Sequence, residues 1–120
     1  MRNTKASRRR GCDYERQVAK ELRELGFPGV VTSRSESKAM DDKKVDIIDT
    51  EHKLPCNIQT KRTTATPNYF DIQKDSDHSL PFVLFWNKQK PTESTFRSVG
   101  EVVFCDKDFF YELLKNYING

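Results

Sequence analysis

Histidine is almost missing from this chain: His52 and His78 are all there is, both in polar, loop-like surroundings. That argues against metal sites and catalytic triads built on imidazole. Cysteine is equally thin, with Cys12, Cys56 and Cys105 far apart and odd in number. The spacing makes neither a disulfide framework nor a zinc site, and it reads as reduced thiols in an intracellular protein. No apolar run approaches the roughly 20 residues of a membrane span. The opening MRNTKASRRRG is not followed by an apolar stretch, so it does not read as a secretory signal. Internal repeats and low-complexity segments are lacking too.

Acid is absent from the first ten residues, which carry Arg2, Lys5, Arg8, Arg9 and Arg10. The whole chain has a net charge of only +3, so the remainder is slightly acidic. The positive charge is therefore a local feature. Residues 1–10 read as a basic, flexible N-terminal arm, either a solvated tail or a segment that contacts phosphates. Residues 11–120 read as one domain, since 120 residues make one core but not two.

Along that domain, CDYERQVAKELRELG predicts a helix ended by Gly26. Tyr14, Val18, Leu22 and Leu25 fall in one stripe at about 100° per residue. PGVVTS suggests a short strand, RSESKAMDDKK a polar loop, VDIID a strand and CNIQTKR another. YFDIQKDS is a short helix or irregular. LPFVLFWN is apolar enough for a strand buried on both faces. KQKPTEST reads as a loop and VGEVVFC as a further strand. DKDFFYELLKNYI predicts a C-terminal helix with Asp106 as N-cap. The order predicts an α/β fold with a central mixed sheet flanked by helices.

Two positions resist a purely structural explanation. In CNIQTKR, side-chain alternation puts Asn57, Gln59 and Lys61 on one face, an amide and an ammonium two residues apart. In VDIID, Asp46 interrupts an apolar run, although aspartate is depleted in strands. It is either an edge aspartate turned to water or part of a site. The short connection to the next strand permits an antiparallel hairpin that brings Asp46 to the face of Gln59 and Lys61. On the first helix, Glu15 and Glu21 each flank the apolar stripe, about 65° from its centre for Glu15 and a similar angle for Glu21. Helical geometry does not choose between them.

The ordered set GCDYERQVAKELRELGF, SRSESKAMDDKKVDIID and CNIQTKR resembles the PD-(D/E)xK nuclease superfamily. Within it, the set is most similar to the archaeal-type Holliday junction resolvases, over about Arg8 to Lys88. Gly11, Glu15 and Arg16 match a Gly-x-x-x-Glu-Arg helix start, Gly26-Phe27 its end, Ser35-Glu36-Ser37 a Ser-Gly-Ser-type loop. Asp46 matches the metal-binding aspartate and Gln59-Thr60-Lys61 the Glu-x-Lys strand. Two residues depart from the pattern. Gln59 stands for the glutamate, with an oxygen ligand but no charge, and Glu36 stands for the loop glycine.

The resemblance implies a restriction-endonuclease-like fold and a Mg²⁺-dependent endonuclease, with Mn²⁺ as a substitute. The implied ligands are Asp46, the Gln59 side chain, the Thr60 carbonyl and Glu15. Lys61 would orient or deprotonate the attacking water, and Ser35 and Ser37 would contact the scissile strand. Arg2, Lys5, Arg8, Arg9, Arg10, Arg34, Lys38 and Arg62 are the expected DNA contacts, with Lys43, Lys44, Lys88 and Lys90 as further phosphate candidates. The expected substrate is a four-way junction and the expected assembly a homodimer, away from membranes. Two other readings stay open: another endonuclease of the superfamily acting on duplex or flaps, and a DNA-binding protein whose site has decayed at Gln59.

Overall fold

The computed structural model describes residues 4–36, 38–42 and 44–120. Arg2, Ser37 and Lys43 lie outside the described residues, as do the side chains of Ser35, Glu36 and Lys38. The elements in chain order are α1 (Thr4–Leu25), β1 (Val30–Thr32), α2 (Ser33–Glu36), α3 (Lys38–Asp42), β2 (Ile47–Asp49), β3 (Asn57–Thr63), α4 (Tyr69–Lys74), β4 (Phe82–Pro91), β5 (Phe96–Cys105) and α5 (Lys107–Asn119).

All five strands form one sheet in the order β1-β2-β3-β4-β5. Every neighbouring pair is antiparallel except β3 and β4, which run parallel and are joined through α4. The sheet is thus mixed and flanked by helices, as the sequence pattern predicts.

One face of the sheet meets α1. Ile58, Val83 and Cys105 lie side by side on three adjacent strands. Above them pack Tyr14, Val18, Ala19 and Leu22 of α1, together with Phe109 of α5. Tyr14, Val18 and Ile58 are each 1 % exposed, so this seam is the centre of the core. Leu25 departs from the predicted stripe and is 74 % exposed. The helix ends there, and Gly26 turns the chain away at φ 135°. The Arg23 guanidinium then donates to the Val30 carbonyl at 2.9 Å and fixes β1 against the last turn.

Several boundaries differ from the sequence reading. The helix starts at Thr4, so residues 4–10 of the basic segment form the first turns of α1. Lysine, alanine and arginine there are good helix formers, and they outweigh the glycine at 11. RSESKAMDDKK is not one polar loop but contains α2 and α3, too short to show a helical period. Of the two readings of YFDIQKDS the short helix holds, with the Asn68 side chain accepting from the Asp71 amide. β4 runs on through Lys88, Gln89 and Lys90 to Pro91, because β5 pairs with it that far. The predicted cap of α5 is present: Asp106 accepts from the Phe109 amide at 2.8 Å.

Candidate active site

The two aspartates of VDIID are set to different tasks by their backbone surroundings. Asp49 accepts from the amides of Glu51, Lys53 and Leu54 at 2.9–3.0 Å and closes the turn between β2 and β3. Burial alone would raise its pKa, but those amides outweigh it and hold the carboxyl below its ordinary value. Asp49 is therefore consumed by the hairpin.

Asp46 enters β2 from Lys44, whose left-handed φ of 62° turns the chain out of α3. The hairpin register pairs Ile47 with Ile58, and the Asp46 amide donates to the Ile58 carbonyl at 2.8 Å. That register delivers the Asp46 carboxylate to the middle of β3. Its Oδ2 accepts from the Thr60 amide at 2.8 Å and from the Thr60 hydroxyl at 3.3 Å. Both bonds fall on one oxygen. Burial pushes the Asp46 carboxyl up to about 6. The Thr60 amide pulls it down, the Glu15 charge pushes it further up, and the Lys61 charge opposes that rise.

Glu15, Asp46, Gln59 and Lys61 line one cavity of about 530 Å³, supplied by α1, the start of β2 and β3. Glu15 is 5 % exposed and receives Arg34 in a two-pronged pair, Nε to Oε2 at 3.2 Å and Nη2 to Oε1 at 3.1 Å. Glu21, the helical alternative, is exposed and accepts from Gln17 at 3.2 Å. Gln59 is 5 % exposed, and its side-chain oxygen is enclosed with no hydrogen-bond partner. A buried acceptor left unpaired costs on the order of 1–3 kcal/mol unless something occupies it.

This is the observation on which a metal can be tested. Among the described residues no three His, Cys, Asp or Glu side chains cluster as a metal site. An acidic triad is thus absent from them, and any hard cation here needs neutral oxygens as well. The orphaned Gln59 oxygen beside Asp46 fits that need. Thr60 does more than the sequence implies, since its amide and hydroxyl hold the aspartate in place.

The expected DNA contacts are distributed as follows. Lys5, Arg8 and Arg9 are exposed on α1, at positions i, i+3 and i+4 of one helical face. Arg10 lies over the Phe96 ring, 4.4 Å from its centre. Arg62 donates to the Arg10 carbonyl at 3.3 Å. Arg34 is spent on Glu15, and Lys88 on the Thr64 carbonyl at 3.0 Å. Lys44 lines the site cavity, while Lys90 is exposed at the far end of β4.

Asp41, Asp71 and Asp75 also line the cavity, and the sequence reading missed them. Asp71 lies in the first turn of α4 and Asp75 is its C-cap one turn further on, so both fall on the same side. That spacing was visible, but which way α4 faces is decided by Tyr69, packed on Phe82 with ring centres 5.6 Å apart.

On the expectation of metal-dependent cleavage, exchanging Glu15 for Gln should lower the rate by on the order of tenfold or more, the scale of losing a supporting carboxylate of a metal site. Glu21→Gln should leave it unchanged. Single-turnover rates on one DNA substrate compare the two, and the reverse ranking would assign the wrong carboxylate.

Residues 6–80 match the model of a family described as archaeal Holliday junction resolvase (Hjc). No curated protein and no solved structure matches the chain.

Proposed function

The chain belongs to the archaeal Holliday junction resolvase family, of restriction-endonuclease-like fold, and from that premise we propose that it is a Mg²⁺-dependent endonuclease that resolves four-way DNA junctions. The observation that carries this reading is the meeting of Glu15, Asp46, Gln59 and Lys61 around one cavity.

Phosphodiester hydrolysis needs an activated water and positive charge beside the developing negative oxygens. Mg²⁺, with Mn²⁺ as a substitute, supplies Lewis acidity and acidified water when bound. Asp46, the Gln59 oxygen, the Thr60 carbonyl and Glu15 are the residues that would hold it. Lys61 orients the attacking water and offsets charge on the scissile phosphate. Ser35 and Ser37 contact the cut strand. Lys5, Arg8, Arg9 and Arg10 with Lys38 and Arg62 meet neighbouring phosphates, and Arg34 trades between Glu15 and DNA. Such a protein acts inside the cell, where the DNA is.

A four-way junction is nearly twofold symmetric and needs two cuts, which suits a C2 homodimer with two sites on one face. Helix α5 supports that assembly. At about 100° per residue, its apolar residues occupy an arc of about 200°. Only Phe109, at one margin, is buried; Phe110, Tyr111, Leu114, Tyr117 and Ile118 are 44–85 % exposed. A protein surface seldom leaves so much apolar area uncovered.

The test offers purified protein a four-way junction, a matched duplex and a flap, with and without chelator. Paired cuts in the junction alone, lost on chelation, are the expected result. Equal cutting of duplex or flap would assign a less selective nuclease of the same fold. Binding with no cutting in Mg²⁺ or Mn²⁺ would assign a decayed site.

A further inference from the structure

Glu15 reaches the site cavity already paired. Both of its oxygens accept from Arg34, one from Nε at 3.2 Å and the other from Nη2 at 3.1 Å. The two partners differ in their surroundings. The Glu15 side chain is buried, whereas that of Arg34 is 50 % exposed and stands half in solvent. Arg34 borders the site cavity on one side and a smaller cavity of about 200 Å³ on the other, walled by Cys12, Arg16 and Thr32. Its side chain thus has open space to turn into.

The backbone that carries Arg34 is fixed to the site. The preceding Ser33 is fully buried, and its amide donates to the Asp46 carbonyl at 2.8 Å. Thr32 pairs with Ile47 in the sheet. α2 therefore starts beside the entry to β2, and the guanidinium is delivered to Glu15 from a rigid base. Most exposed ion pairs lack such a base, and they contribute little.

Elementary electrostatics gives this pair two properties. A buried carboxylate left bare is costly, so in the metal-free protein the guanidinium keeps Glu15 neutralised. The same guanidinium opposes a second cation at those oxygens, because like charges a few ångströms apart in a half-buried site repel strongly. Glu15 can serve one cation well at a time. A guanidinium fork, for its part, fits a phosphate as well as a carboxylate. Each member of the pair thus has a second partner, the cation for Glu15 and the DNA backbone for Arg34.

We propose that Arg34 is the exchange element of the site: it holds Glu15 in the metal-free protein, and on loading it gives Glu15 over to the divalent cation and turns to a phosphate of the substrate. The inference rests on the nuclease reading above and adds to it a coupling between the two ligands. Ion and DNA each draw off the partner that the other must displace. Each therefore tightens the binding of the other, by the same factor in both directions. Glu15 is left bare at no stage.

The experiment has two arms, neither of which reads cleavage. In the first, Mn²⁺ is titrated into the protein without DNA at pH 8, and the free ion is followed by its electron paramagnetic resonance signal. Arg34→Gln should bind Mn²⁺ several-fold more tightly than wild type. Arg34→Lys keeps the charge but loses the two-pronged fit. It should fall between the two, and it carries this arm where circular dichroism shows that glutamine disturbs the fold. In the second arm, binding of a four-way junction is measured in chelator over a series of salt concentrations. Glu15→Gln frees Arg34, so it should tighten binding several-fold and steepen the salt dependence by about one phosphate contact. Adding Arg34→Gln to that variant should remove both changes. Mn²⁺ affinity unchanged or weakened in both Arg34 variants would make the guanidinium a fixed support for Glu15 and overturn the exchange. So would a Glu15→Gln variant whose junction affinity and salt slope match wild type. Either result leaves the nuclease reading intact, since the wild type still binds ion and junction. A wild type that binds neither overturns both.

Discussion

Asp46→Asn should lower cleavage by on the order of 10²–10³-fold, the scale of losing one transition-state stabilising group, and at the same time stabilise the metal-free protein at neutral pH. The first effect follows from its place: it is the one carboxylate held by Thr60 at the centre of the cavity. The second follows from its titration. Burial raises the folded-state pKa from 3.8 to about 6. Ionised Asp46 therefore disfavours the fold, and stability is lost as pH rises between those two values. The loss is up to about 3 kcal/mol above pH 6 and nil below pH 4. Asparagine, always neutral and still able to accept from Thr60, escapes it. Denaturant unfolding in chelator should show the variant ahead at pH 8 and level at pH 4. An equal gain at both pH values would place the Asp46 charge outside the balance, and cleavage at the wild-type rate would remove Asp46 from the site.

Gln59→Glu asks whether the departure at Gln59 is a defect or an adaptation. A second carboxylate beside Asp46 adds charge toward a cation, so the variant should need on the order of tenfold less Mg²⁺ for half-maximal rate, equivalent to about 1.4 kcal/mol. The metal-free variant should be less stable than wild type above pH 6, where two close carboxylates repel. Titrating Mg²⁺ against single-turnover rate measures the first effect. An active wild type with an unaltered Mg²⁺ requirement in the variant would take Gln59 off the metal. A silent wild type with an active variant would mean that the site has decayed.

What could be read in advance was whatever depends on local period or on one short hairpin. The alternation in CNIQTKR, the apolar run of β4 and the stripe of α1 each carry their own signal. The two strands flanking a short turn allow few registers, so Asp46 could be placed beside Gln59 and Lys61 from spacing. What stayed hidden depends on partners far along the chain. Lys88 to Lys90 look like loop residues until β5 is known to pair with them. Asp71 and Asp75 look like solvated acids until Tyr69 anchors α4 on Phe82. The choice between Glu15 and Glu21 needed the sheet underneath the helix, and the family pattern supplied it where the helical wheel did not.

Gly11 interrupts α1 between its basic turns and Glu15, and no atom comes within 4 Å of the place a Cβ would take. No other part of the chain packs against the glycine, yet it costs the helix about 1 kcal/mol relative to alanine. The first turn also has no acid, and its cations sit at the positive end of the helix dipole. The turns before Gly11 thus carry an unfavourable charge arrangement, which bound anionic DNA would relieve. If Lys5, Arg8 and Arg9 meet phosphates as proposed, salt would act twice on the same segment, by releasing those phosphates and by withdrawing a counter-charge that adds to the stability of its helix. Added ions should therefore dissociate the complex more steeply than a count of phosphate contacts alone requires.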